Sequence, residues 1–95
     1  MERFKAYLIQ AEKSQLTVEK YLRDVRCFLD WLGEEGLDKN RVLAYKAELM
    51  ERYAVSSVNS ILSAVNIYLT FLGRPECRVK TIKQQRQAFL PVRFV

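Results

Sequence analysis

The sequence contains no histidine, only two cysteines and only three glycines among its 95 residues. Histidine is the commonest general base and the commonest metal ligand in proteins, so its absence argues against most hydrolytic and metal chemistry. Cys27 and Cys77 are 50 positions apart, which supports neither a zinc site nor a disulfide framework, and we expect two free thiols in a reducing cytosol. The isolated glycines form no glycine-rich phosphate loop. We therefore predict no catalytic residue, no metal site and no cofactor.

Long apolar segments are also missing. No uninterrupted apolar run approaches the roughly 18 residues of a membrane-spanning helix, and the charged start at residues 1–5 contains no apolar signal core. We therefore expect a protein that is neither secreted nor membrane-spanning. A length of 95 residues allows one small domain and excludes a multidomain enzyme, so size alone favours a small binding module.

Positive charge is concentrated at one end of the chain. The net charge is +5, and the apolar fraction of 49% is typical of a folded domain. Residues 1–73 hold ten basic and ten acidic residues, whereas residues 74–95 hold six basic residues and one acidic residue, Glu76. Basic residues at spacings of two to four can follow a phosphate backbone, and a solvated basic tail without a partner has the same pattern. Both interpretations stay open at this point.

Apolar residues recur at steps of three and four in four successive segments, which predicts an all-α fold with four helices. Hydroxyl side chains at the starts of the second and fourth segments and glycines at their ends supply the expected caps. The predicted bounds are Glu2 to Lys13, Ser14 or Thr17 to Gly33, Asp38 to Tyr53, and Ser56 or Ser57 to Gly73. The spacing over residues 82–89 fits a short further helix. The apolar end at residues 89–95 indicates that the natural protein continues or pairs this end with something else.

Two predicted helices have outward faces that suit a partner. The second presents Lys20, Arg23 and Asp24, which is either a solvated face with local ion pairs or a cationic surface for phosphates. The fourth contains no charged residue from Ala54 to Leu72. Either another helix covers its outward side, or short polar groups there approach phosphates or base edges of a partner. The residues on that side are Asn59, Ser60, Ser63, Ala64, Asn66 and Ile67.

Residues 14–32 closely resemble a signature of the tyrosine recombinase and phage integrase family, S-x-x-T-x-x-x-Y-x-x-D-x-x-x-F-x-x-[WF]-L. This signature belongs to the N-terminal core-binding, or SAM-like, domain of that family. The matching residues are Ser14, Thr17, Tyr21, Asp24, Phe28, Trp31 and Leu32. Residues 57–59 and 62–64 resemble the second family element, and the basic stretch after Pro75, ending at residues 89–91, resembles the linker into the family's catalytic domain.

The resemblance implies a four-helix SAM-like bundle at residues 1–73 and a basic interdomain linker at residues 74–95. It implies a module that binds double-stranded DNA and acts in DNA integration and recombination when joined to a C-terminal catalytic domain, with other recombinase protomers as partners. The implied location is the nucleoid in the cytoplasm of a bacterium. The implied DNA contacts are Ser14, Thr17, Lys20 and Arg23 on helix two, Ser57, Asn59, Ser60 and Ser63 on helix four, and Arg74, Arg78, Lys80, Lys83 and Arg86 on the linker.

The family's catalytic arginines, histidine and nucleophilic tyrosine lie in the C-terminal domain, so we expect this chain to bind DNA without cutting it. The resemblance leaves open whether the parent is a phage integrase, a transposon recombinase or a chromosome-resolving enzyme. Family members often carry basic residues on helix four, where this chain has Ser60, Ile61 and Asn66. The alternative is therefore a protein-interaction module that docks through the uncharged face of helix four, by contacts that survive salt and fail when Ile67 or Ala64 is charged.

Overall fold

A computed structural model describes residues 1–83, and its regular structure there is entirely helical. The helices are α1 (Glu2–Gln10), α2 (Gln15–Leu32), α3 (Lys39–Arg52) and α4 (Val55–Phe71), and a short 3-10 turn follows at Pro75–Cys77. This order confirms the predicted all-α fold with four helices. The predicted helix over residues 82–89 lies almost wholly outside the described residues, and residues 82 and 83 are not helical.

Helices α2 and α4 form the centre of the bundle because both contribute to each of its two hydrophobic clusters. The first cluster joins the second half of α2 to α3 and to the side of α4 that carries Val58, Leu62, Val65 and Leu69. The second joins α1 to the first half of α2 and to Ala64 of α4. Phe4 of α1 is fully buried in this second cluster. The apolar stripes predicted from the sequence therefore face the core.

Helix α1 ends three residues earlier than predicted, at Gln10 rather than Lys13. Glu12 has a left-handed backbone with φ of 63°. Its N–H donates to the Ile9 carbonyl at 2.9 Å, and the Lys13 N–H donates to the Leu8 carbonyl at 3.2 Å. This pair of bonds is the Schellman motif, which usually has glycine at the left-handed position. The absence of a glycine there is why the sequence did not reveal the end of the helix.

The starts of the helices agree with the cap predicted for α2 and with the start predicted near Asp38 for α3, and they disagree with the cap predicted for α4. The Ser14 hydroxyl caps α2, and the Asp38 carboxylate caps α3. Helix α4 instead begins at Val55, with Ala54 as its N-cap and no side-chain cap, so the prediction of Ser56 or Ser57 was wrong. Residues 54–57 are exposed, and water can therefore satisfy the first N–H groups in place of a hydroxyl.

The predicted outward face of α4 also needs a correction, because Ala64 is fully buried in the second cluster. Its small side chain lets α1 and α2 approach α4 closely. A charged residue at this position would be desolvated in the core. Loss of binding on substitution of Ala64 would thus report unfolding and cannot test a docking surface.

The chain after α4 packs back onto the bundle. Gly73 has φ of 78° and closes α4 with the same Schellman bonds that end α1. Cys77 and Val79 are then buried in the first cluster, and Ile82 packs against it. The core thus includes residues beyond the 1–73 unit drawn from the sequence. We call residues 78–82 the strap.

We predict that Glu12→Gly raises the free energy of unfolding by about 0.5–1 kcal/mol, because it removes the cost of a left-handed non-glycine residue and a negative charge at a helix C-terminus. The equivalent position of α4 supplies the matched comparison. Gly73→Ala should lower the same quantity by about 1 kcal/mol, since no atom lies within 4 Å of the added Cβ and only backbone strain acts. Urea unfolding followed by circular dichroism measures both. A stability loss in Glu12→Gly would contradict the strain at Glu12.

Candidate nucleic-acid interface

A groove between α2 and the start of α4 brings together three residues that the sequence singled out. Lys20, Ser57 and Ser60 line it, and its volume is about 230 Å³. The Lys20 ammonium forms an ion pair with Asp24 and donates to the Ser60 carbonyl at 3.2 Å. Lys20 is therefore a bridge between the two helices at the edge of α4, and its charge is paired with Asp24.

A neighbouring groove of about 210 Å³ adds Arg23 to the same surface. The two grooves share the lining residues Asp24, Tyr53 and Ile61. Arg23 is exposed, and it forms no ion pair with an acidic residue in the described part of the chain. Its guanidinium is available to an external anion. The four predicted residues on α2 and α4 that line these grooves therefore form one continuous surface.

Ser14 and Thr17 stand at the beginning of α2 and bond to each other. The Ser14 hydroxyl accepts from the Thr17 N–H at 3.2 Å and donates to the Thr17 hydroxyl at 2.9 Å. Thr17 precedes Lys20 by three residues and so lies on the same side of α2. The S-x-x-T part of the signature thus builds the helix cap. The hydroxyl oxygens keep lone pairs for a further donor.

Asn59 and Asn66 use their side-chain amides within the chain. The Asn66 amide donates to the Val79 carbonyl at 2.8 Å and accepts from the Val79 N–H at 3.0 Å. Asn59 makes the same pair of bonds with Ile82, at 2.8 and 2.7 Å. Both amides are committed to the strap. The role expected for Asn59 as a DNA contact therefore has less support than the role of its neighbour Ser60.

The strap directs its basic side chains outward. Arg78 and Lys80 are exposed on either side of the buried Val79, and Lys83 is exposed immediately after the strap. None of these three cations forms an ion pair within residues 1–83. Arg78 donates to the Thr70 hydroxyl at 3.4 Å, which places it beside the last turn of α4. The structure therefore fixes part of the predicted basic linker along one side of α4. Arg86 lies outside the described residues.

Arg74 differs from the other linker cations because its charge is compensated. Its Nε donates to the Glu76 carboxylate at 2.6 Å, and Nη2 donates to the Leu37 carbonyl at 3.3 Å. The guanidinium lowers the pKa of the Glu76 carboxyl through this hydrogen bond. The contact with Leu37 ties the end of α4 to the loop before α3. Arg74 is thus placed to hold the fold and has little free charge for a phosphate.

Two lysines of α3 belong to the surface although the sequence did not indicate them. Lys39 lines a cleft of about 430 Å³ together with Arg78 and Lys80. The Lys46 ammonium donates to the Lys80 carbonyl at 2.7 Å. Both contacts join residues more than 30 positions apart, so no local pattern could have revealed them. The spacing of seven between Asn59 and Asn66 was the only available signal for the strap.

Ser63 lies between these two groups of cations. It is three or four residues from Asn59, Ser60 and Asn66, and it therefore lies on the same face of α4. Its side chain is half-buried. On one side of Ser63 the Lys20 ammonium reaches the Ser60 carbonyl, and on the other the strap runs along Asn59 and Asn66. An uncharged helix face with hydroxyl groups is thus flanked by positive charge.

A comparison with protein families identifies the domain. The family described as phage integrase, N-terminal SAM-like domain, matches residues 1–76. The chain belongs to this family. No curated protein and no solved structure matches it. The match confirms the resemblance seen in residues 14–32 and the SAM-like class of the four-helix bundle. It detects the N-terminal domain alone, and it ends inside the 3-10 turn, before the strap.

No helix within residues 1–83 is long and apolar enough to cross a membrane. The same residues contain no group of three or more side chains that could hold a metal ion.

Tyr45 forms the floor of the Arg23 groove and gives a prediction on pH dependence. Burial, with smaller contributions from Cys27 and Asp24, raises the pKa of Tyr45 to about 12. An unfolded tyrosine loses its proton near pH 10. The Tyr45 contribution to stability is therefore complete below pH 10 and is lost at about 1.4 kcal/mol per pH unit as the pH rises towards 12. Comparison of urea unfolding of the wild type and Tyr45→Phe between pH 9 and 11 isolates this loss. Equal pH dependence in both proteins would contradict it.

Proposed function

We propose that this domain binds double-stranded DNA as the N-terminal module of a site-specific tyrosine recombinase. The observation that carries the proposal is the flanking of the uncharged α4 face by cations on both sides. On one side of this face are Lys20 and Arg23 of α2. On the other side are Arg78 and Lys80 of the strap and Lys83, which follows it. Membership of the integrase family supports the same assignment.

The arrangement suits the shape and charge of duplex DNA. The major groove of B-DNA is about 12 Å wide and accepts an α-helix, while phosphates border it on both sides. A helix face inside the groove needs side chains that hydrogen-bond base edges or phosphates. Ser60 and Ser63 meet this requirement. Cations beside the helix would meet the bordering phosphates and release their counterions.

The same proposal assigns strand cleavage to another part of the parent protein. The chain contains no histidine, and the family match concerns an N-terminal domain. We infer that a C-terminal catalytic domain and further recombinase protomers act with this module on DNA. Its place would then be the nucleoid in the cytoplasm. The role of the module is to hold the recombinase on the duplex during DNA integration and recombination.

The alternative function, the docking of a partner helix, is less well supported because little of the required surface is free. It depends on the uncharged outer face of α4, where the strap occupies Asn59 and Asn66 and the core occupies Ala64. The chain itself therefore covers much of the surface that a partner helix would use. The other residues of the predicted face are half-buried, and of these Ser60, Ser63 and Ile67 are not bonded to the strap through their side chains.

We predict salt-sensitive binding to a random-sequence duplex, measured by fluorescence anisotropy between 0.05 and roughly 0.2 M salt. Phosphate contacts by Arg23, Arg78, Lys80 and Lys83, which form no ion pair within residues 1–83, correspond to a slope of log K against log salt of about −3.6. The affinity should fall roughly a hundredfold over this range. Absence of binding at the lowest salt would refute DNA binding by this domain and favour the interaction module.

Arg23→Ala tests the position of the DNA. The slope should become shallower by about 0.9, because one phosphate contact is lost. Lys5→Ala is the matched control, since it removes one positive charge from a different groove, between α1 and α2. The control should keep the wild-type slope. An equal change in both variants would indicate a general charge effect and would speak against contact through α2.

A further inference from the structure

The strap is bound to α4 by two asparagines that imitate a neighbouring strand. Each side-chain amide donates to the carbonyl and accepts from the N–H of a single strap residue, Val79 for Asn66 and Ile82 for Asn59. The four distances lie between 2.7 and 3.0 Å. An amide side chain can satisfy a backbone donor and a backbone acceptor together because it carries both functions. The strap is therefore hydrogen-bonded to α4 mainly through its backbone, and Arg78 adds one side-chain bond to Thr70.

The spacing of the two asparagines matches the spacing of the strap. Seven residues along an α-helix span about 10.5 Å, and three residues of extended chain span about 10 Å. Asn59 and Asn66 are seven residues apart, and Val79 and Ile82 are three apart. Because the lower-numbered asparagine binds the higher-numbered strap residue, the strap runs antiparallel to α4.

Apolar and polar anchors reinforce the same conformation. Val79 is buried, Ile82 packs against the first cluster, and Lys46 of α3 donates to the Lys80 carbonyl at 2.7 Å. The side chains between the anchors, Arg78 and Lys80, are exposed. These anchors fix backbone and apolar groups, and the Arg78 and Lys80 side chains stay exposed.

We propose that Asn59 and Asn66 are positioning residues for DNA binding. They hold the strap in place, so that Arg78 and Lys80 reach the phosphates and the strap does not first have to become ordered. The proposal rests on the function proposed above. The family match ends at residue 76 and so does not include the strap. A released strap would have to become ordered on DNA, and each residue that becomes ordered weakens binding on the order of tenfold. The asparagines therefore act on affinity without touching DNA.

The test compares the double variant Asn59→Ala/Asn66→Ala with the wild type in two measurements. Amide hydrogen exchange should show that Val79 and Ile82 lose protection in the free variant. Binding to the random-sequence duplex should weaken at least about tenfold at fixed salt. The slope of log K against log salt should stay within about 0.5 of the wild type, because the same cations still reach phosphates once the strap is ordered.

Three further proteins make the result specific. Asn40→Ala removes an exposed asparagine of α3 that makes no side-chain hydrogen bond within the described residues, and it should change neither measurement. Arg78→Ala/Lys80→Ala should keep the exchange protection and make the slope shallower by about 1.8. The single variant Asn59→Ala repeats the test if the double variant unfolds, as judged by circular dichroism.

The outcomes separate this inference from the proposed function. Lost protection together with weaker binding and an unchanged slope supports the positioning role. Renewed protection of Val79 and Ile82 in the DNA complex would support it further. Lost protection with wild-type affinity overturns the positioning role, and so does full protection in the double variant. If the wild type itself binds no duplex at low salt, the proposed function fails, and the positioning role fails with it.

Discussion

The burial of α4 between all the other elements is the constraint on which the rest of this domain depends. One side of the helix packs against α2, α3 and Val79, and Ala64 packs against α1 and α2. A charged side chain at the buried positions of such a helix would lose its hydration without a partner, and the exposed positions of residues 54–72 carry no charge either. Any positive charge of the interface must therefore come from neighbouring elements. Helix α2 supplies Lys20 and Arg23, and the strap supplies the rest.

The sequence predicted the parts of the fold that local patterns determine. The apolar periodicity and the caps at Ser14 and Gly33 placed α2, and the apolar positions after Asp38 placed α3, within one or two residues. The errors lie where a local rule was not obeyed, because α1 ends at a left-handed glutamate and α4 begins without a capping side chain. The strap was missed for another reason. Its bonds join Asn59 and Asn66 to residues 23 and 13 positions away, and no periodicity encodes such a pairing.

For the candidate site, the signature identified the family better than it identified the contacts. Its residues mostly build the fold: Ser14 and Thr17 form a cap, Asp24 pairs with Lys20, and Phe28 is buried. Trp31 donates to the Glu48 carboxylate at 3.1 Å. A motif whose residues stabilise the fold indicates that fold and does not indicate which partner the protein binds. The residues that distinguish a binding surface, Lys20 and Arg23, occupy the variable positions between its fixed letters.

The two kinds of group on this surface suit different parts of recognition. A serine hydroxyl both donates and accepts, so Ser60 and Ser63 can bond several base edges and discriminate weakly among them. Cations held beside the helix fix the register and orientation of a protein on the phosphate backbone without reading its sequence. A rigid strap strengthens the second contribution and leaves the first unchanged. Under the proposed function, the domain would supply affinity and alignment, and sequence choice would fall to the deformability of the DNA and to the other parts of the parent recombinase.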